Sequence, residues 1–235
     1  MDLSILSWGA SGWGDEFFYA TLVTLTVAIC SFLFGIILAT GAAAMKLSSY
    51  KSLQRIASAY TTIVRGIPEL LVIYLVFYGG NTLIMSIAKG VFGYNEYIEL
   101  PIFFMGVVCI GLSSGAYSTE VIRGAVLAVP TGTIEAAKAI GMSTAIRFKR
   151  ILVPQVVKYA LPGLGNVWQL TLKETSLISV IGLAEIVRVA QIGAGSEKQP
   201  FTFFLTGLIL FLLLASLSDK GYLSIEKWAN KGTRK

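Results

Sequence analysis

The chain has 235 residues, 55% of them hydrophobic and only 14% charged, with a mean hydropathy of +0.73 and a net charge of +6. Soluble chains carry roughly a quarter charged residues, so this composition describes one all-α integral membrane domain over residues 1–235. It holds no histidine, no GxxxxGK[ST] string, and two cysteines, Cys30 and Cys109, that both lie inside apolar runs, which speaks against a Ser-His-Asp enzyme, a zinc site, a disulfide framework and nucleotide binding by a P-loop.

A helix needs about 20 apolar residues to cross the hydrocarbon core, and five stretches qualify: 17–45, 56–88, 101–127, 151–172 and 201–219. The first is preceded only by the acids Asp2, Asp15 and Glu16 and ends at Lys46. Those flanks reverse the signal-peptide pattern and predict a retained span with its N-terminus outside. The second ends at the polar loop 89–100, which carries Glu96 and Glu99, and Pro101 opens the third. Pro154, Pro162, Gly163 and Gly165 interrupt the fourth. Residues 173–200 are moderately apolar and compatible with a half-buried, reentrant helix pair. The fifth span returns to a basic tail.

Fourteen of the 19 lysines and arginines fall in three clusters, separated by long apolar stretches. Lys46, Lys51 and Arg55 form one cluster; Arg123, Lys138, Arg147, Lys149, Arg150 and Lys158 form a second; Lys220, Lys227, Lys231, Arg234 and Lys235 form a third. Five crossings with the N-terminus outside place all three clusters, and the C-terminus, in the cytoplasm, as the positive-inside rule requires. No basic face exists apart from these loops, so nucleic acid is not an expected partner. Small residues recur within the spans, namely Gly35, Gly41, Ala42, Ala43 and Ala44, then Gly111, Ser113, Ser114, Gly115 and Ala116; they let helix backbones approach closely in lipid.

Between the third and fourth spans, Pro130–Pro154 reads PTGTIEAAKAIGMSTAIRFKRILVP. Two short helices are expected in its 130–150 part. Thr133 is expected to cap the first, Glu135 to sit in its first turn, and Gly141 to end it in a left-handed conformation. Ser143 is expected to cap the second, which carries Arg147, Lys149 and Arg150. Ala136 and Ala137 beside Glu135 suggest a flat surface that another protein can grip.

The order Glu135-Ala136-Ala137, Gly141, Ile151, Val153-Pro154 resembles the EAA loop of ABC-transporter import permeases, with Val153 where leucine is usual. The likeness extends along nearly the whole chain. Arg65-Gly66-Ile67-Pro68-Glu69-Leu70, Gly115-Ala116-Tyr117 with Glu120 and Arg123-Gly124, Pro154-Gln155, Leu161-Pro162 and Lys173-Glu174-Thr175-Ser176-Leu177 are similar to the polar amino-acid uptake permeases. The glutamate after the RGIP string and the run LPGLGNVWQ are most like the subunits for histidine, arginine and arginine-derived opines; Glu174 stands where the family usually has aspartate.

This resemblance implies a type I importer permease fold in a bacterial inner membrane. It implies a second permease subunit, identical or homologous, an extracytoplasmic amino-acid-binding protein, and two ATP-binding subunits that grip Glu135, Ala136, Ala137 and Gly141. The chain itself would bind no cofactor; ATP and Mg would be used by the partner ATPase. The implied cargo is a basic amino acid (arginine, histidine, ornithine or lysine) or an opine.

Ionisable residues in spans are costly and functional by default. Glu174, Gln169, Asn166, Glu69 and Glu120 are therefore the candidates for the substrate path. Each has a plainer reading. Arg65 and Glu69, four apart, and Glu120 and Arg123, three apart, have the spacing of intrahelical ion pairs; Asn166 and Gln169 can hydrogen-bond a neighbouring helix. Two other classes compete. A membrane-embedded enzyme needs converging catalytic groups, such as paired aspartates, but no aspartate lies in a span before Asp219. A stand-alone secondary transporter has no use for an ATPase-docking loop and often carries an inverted repeat, which is not evident here.

Overall fold

The computed structural model describes residues 3–9, 12–93, 96, 98 and 100–229. Asp2, Glu99, Lys231, Arg234 and Lys235, used above in the charge reading, lie outside the described residues. Every regular element among those described is helical. After a short turn at Leu3–Leu6 come α1 (Gly14–Leu47), α2 (Lys51–Gly66), α3 (Glu69–Tyr74), a π-helical turn, α4 (Gly80–Phe92) and α5 (Ile102–Leu127). Then follow α6 (Thr131–Ala139), α7 (Thr144–Arg147), α8 (Val153–Glu174), α9 (Ile186–Glu197) and α10 (Pro200–Ala229). Four stretches are long and apolar enough to cross a membrane: α1, Glu69–Phe92, α5 and α10. The bent pair Thr144–Ile181 with Ile186–Glu197 makes a fifth.

The second expected span, 56–88, is corrected. Its first third belongs to α2, which ends at Gly66. Pro68 has no N–H to donate and pushes the residue before it out of the helical region; Ile67 is extended, at φ −103° and ψ 139°. The apolar crossing begins only at Glu69. α2 instead lies across α1 and α5, burying Ala57 and Thr61, and Tyr60 Oη donates to Leu112 O at 2.8 Å.

α1 and α5 run parallel and form the centre of the bundle, joined through the small residues. A Cβ added at Gly35 would lie 3.0 Å from Gly115 N, and one at Gly111 would lie 3.1 Å from Ser31 O. Backbone therefore meets backbone along this seam. Thr171 of α8 donates to Ser114 Oγ at 3.0 Å, fixing α8 against the same stripe. Around it Val27, Ile73, Cys109, Ile110 and Ile178 form an apolar cluster.

Residues 173–200 do not form the expected reentrant pair but continue the fourth span along α10, with Gly165 at Tyr222, Gln169 at Ala215, Ile186 at Gly207 and Gly193 at Phe203. α8 tightens into a 3₁₀ stretch at Thr175–Ile181, Gly182 turns at φ +96°, and α9 leaves at 47° to the preceding stretch. Glu185, fully buried, caps α9 by accepting the Arg188 N–H at 2.8 Å. Thr24 of α1 accepts the Ile186 N–H at 3.3 Å. Two amides at the start of α9 are thus satisfied inside the bundle, one by a residue 162 positions away.

Candidate functional site

The bend at Ile67–Pro68 brings the end of α2 and the start of α3 against the middle of α5. Arg65, Gly66, Ile67, Pro68, Glu69 and Tyr117 line an open cavity of about 520 Å³. A second cavity of about 460 Å³ shares Arg65, Gly66 and Tyr117 and continues to Lys46, Thr61 and Glu120. The two form one polar groove between the α2–α3 bend and α5.

Behind Glu69, and not itself lining either cavity, stands Glu174, the last residue of α8. Its side chain is buried, 4% exposed, and interacts with Glu69 and Ser113. Oε1 of Glu174 and Oγ of Ser113 are buried without a hydrogen-bond partner. Tyr117 interacts with both acids and with Arg65, whose guanidinium lies 5.3 Å from the centre of the Tyr117 ring. Glu69 is only partly buried and reaches the open cavity; two carboxyls this close repel unless a proton or cation comes between them, so this end of the groove suits a positive group. Arg65 offers the opposite charge a short distance along it.

At the other end Glu120 pairs with Lys46, which also donates to Thr61 Oγ1 at 2.6 Å. Arg123 Nη1 approaches Glu120 Oε2 at 3.6 Å, so the expected pairing of Glu120 with Arg123 exists. The pairing of Arg65 with Glu69 within one helix does not, because the chain breaks between them. Gln169 is engaged in packing, its Nε2 donating to Ala215 O of α10 at 3.1 Å. Asn166 is exposed on the outer side of α8 and does not reach the acids. Glu69 and Glu120 therefore line one groove, with Glu174 buried beside Glu69, while Asn166 and Gln169 stand apart from it. Ser113, Lys46 and Thr61 were not among the expected site residues. Ser113 reads in sequence as one more small packing residue, and its place beside Glu174 follows only from α5–α8 packing. Among the described residues no cluster of histidine, cysteine or acids is suited to a metal ion.

The loop 130–150 forms the two expected short helices, with three differences. Pro130, not Thr133, occupies the cap position of α6; Thr133 lies in the first turn and donates to Pro130 O at 2.7 Å. Glu135 consequently falls just past that turn. Ala137 is buried, so the outward surface consists of Glu135 and Ala136 together with Ile140, Ile146 and Phe148, all exposed. Gly141, at φ +76°, ends α6 as expected. The Met142 N–H reaches Ala137 O at 3.0 Å and the Gly141 N–H reaches Lys138 O at 2.9 Å, the paired bonds of a Schellman turn. Ser143 holds the cap position of α7 without a side-chain hydrogen bond. α7 then runs through a π-helical turn, Phe148–Leu152, directly into α8. Helix is therefore continuous from Thr144 to Glu174, while α6 is joined to it through the Gly141 turn.

A lipid-sized helical bundle with an internal charged groove and a protruding pair of short helices defines a membrane permease. The chain belongs to the family of binding-protein-dependent transport system inner membrane components, which its residues 31–228 match. It is 60% identical over 234 residues to the nopaline transport system permease protein NocQ of Agrobacterium fabrum, covering 100% of this chain and 99% of that one. It is 35% identical over 224 residues to the histidine/lysine/arginine/ornithine transport system permease protein HisQ of Escherichia coli, covering 95% and 97%. A solved structure described as an amino acid ABC transporter with histidines superposes with a TM-score of 0.77 at 30% identity, over 92% of this chain and 94% of that one. The chain is a permease subunit of an ABC importer with the type I fold, not an enzyme.

Proposed function

We propose that this permease passes a cationic amino acid or an arginine-derived opine, and that Glu174 with Glu69 receives the guanidinium or ammonium group of the cargo. The observation that carries this reading is the pair of acids converging on the charged groove, one of them buried with an unpartnered oxygen. The similar permeases are named for nopaline and for histidine, lysine, arginine and ornithine, cargoes that fit a pair of acids. Arg65 and Tyr117 stand beside the acids to receive the carboxylate end. Two ATP-binding subunits, using ATP and Mg, grip Glu135, Ala136 and the Gly141 turn. A second permease subunit completes the path, and an extracytoplasmic binding protein delivers the cargo. The N-terminus lies outside and the basic clusters inside.

Reconstituted in vesicles with its partner subunits, the transporter should take up labelled arginine or octopine only with ATP on the side of α6. Glu174→Gln and Glu69→Gln should each raise the half-saturating cargo concentration at least tenfold; wild-type values in both would overturn the acid site. Gly141→Val forces a β-branched residue into left-handed backbone. It should abolish uptake while the chain stays in the membrane, and unchanged uptake would remove the coupling role of α6.

A further inference from the structure

Lys173 adjoins Glu174 in sequence but points the other way. Its side chain is exposed and lines an apolar groove of about 370 Å³ between α8, α9 and α10, beside Leu208, Phe211 and Leu212. Its ammonium makes no hydrogen bond or ion pair among the described residues. Asn166, seven residues earlier on the same face of α8, is exposed as well.

The depth of Lys173 follows from the antiparallel register of α8 on α10. A Cβ on Gly165 would touch the Tyr222 ring, Gln169 bonds Ala215 O, and Lys173 faces Leu208–Leu212. Those residues occupy the middle of the apolar run 201–217 of α10, so Lys173 sits near the middle of the bilayer. Hydrocarbon offers an ammonium no counter-charge there, and intramembrane lysines accordingly face protein or a water-filled path. The helices around it supply no partner. Of the exposed acids on them, Glu197 closes α9 at the far end, and Asp219 lies two turns nearer the basic end of α10.

We propose that the α8–α10 face around Asn166 and Lys173 packs against the second permease subunit, which presents a carboxylate or side-chain amide to Lys173 at mid-membrane depth. Charge complementarity selects the occupant: the exposed apolar residues Leu208 and Leu212 beside Lys173 suit lipid or protein better than water, and the ammonium suits protein better than lipid. This inference rests on the two-permease reading above.

The test is cross-linking in the complete transporter in its membrane. Asn166→Cys and Lys173→Cys, modified with a thiol-linked photo-cross-linker, should yield at least fivefold more product with the other membrane subunit than Leu83→Cys on α4, with the parent chain as the background for Cys30 and Cys109. Lys173→Glu should lower recovery of the second permease at least tenfold at equal amounts of this chain, whereas Lys173→Arg should retain it. Products with lipid alone, or rapid labelling of Lys173→Cys by a membrane-impermeant thiol reagent without a protein adduct, would overturn the proposal in favour of a lipid face or an open path. Absence of any second membrane subunit from the parent complex would defeat the two-permease reading itself. Its presence, with cross-links arising from α4 instead, would defeat only the assignment of this face.

Discussion

α5 and the α3–α4 crossing are neighbours in the chain, similar in length and both apolar, yet they occupy opposite positions in the molecule. In the most apolar window of α5, 61% of residues are buried, against 11% for Glu69–Phe92. The difference lies in residue size. α5 carries Gly111, Ser113, Ser114, Gly115 and Ala116 where it meets α1 and α8, and Gly106 where it meets Ile178, whereas the α3–α4 crossing displays Leu75, Leu83, Ile84 and Ile87 outward. In lipid, apolarity only puts a helix into the membrane; small residues that admit a neighbour's backbone decide which helix becomes the centre.

Four substitutions test that contrast. Gly35→Leu, which drives a side chain against the Gly115 backbone, should have the largest effect, about 3 kcal/mol, read as a fall in the melting temperature of the detergent-purified chain and in the amount recovered from membranes. Glu120→Gln removes the partner of a half-buried ammonium at Lys46; leaving a charged group without its partner costs about 1–3 kcal/mol or more, and Lys46→Met introduced with it should restore part of the loss. Thr171→Val deletes the bond to Ser114 while preserving shape, and hydrogen bonds between membrane helices are worth roughly 0.6 kcal/mol on average, so the expected shift is small but measurable in the same melting assay. Leu83→Ala on α4 should be within about 0.5 kcal/mol of the parent, as exposed substitutions generally are. A Leu83→Ala loss equal to that of Gly35→Leu would break the comparison, and would mean that the α4 face is packed in the isolated chain.

Much of the architecture is readable from residues alone because the membrane enforces it. Runs of apolar residues long enough to cross, and most lysines and arginines clustered between or at the ends of those runs, give five crossings, and the structure supplies four single helices and one bent pair. The Glu135-Ala136-Ala137 to Gly141 handle is local as well, since a Schellman turn is closed by residues within six positions of one another. Two local readings nevertheless missed. Averaged hydropathy passes over Ile67–Pro68, so α2 and the following crossing merge into one run. A hydroxyl near a helix start attracts the cap assignment, but the chain begins α6 at the residue after Pro130 and Thr133 falls inside it.

The site divides along the same line. That Glu69, Glu120 and Glu174 are unusual follows from their place in apolar surroundings, a cost that any reading of the chain detects. That Glu174 meets Glu69, Ser113 and Tyr117, that Glu120 meets Lys46, and that Gln169 serves α10 required positions 46 to 105 residues apart to be brought into contact. Period and composition fix what a helix is and whether it enters lipid, because both depend on neighbours along the chain. Which side of that helix faces a groove, a neighbour or another subunit depends on how closely backbones approach across the bundle, and that was decided only by the packing of α1, α5 and α8.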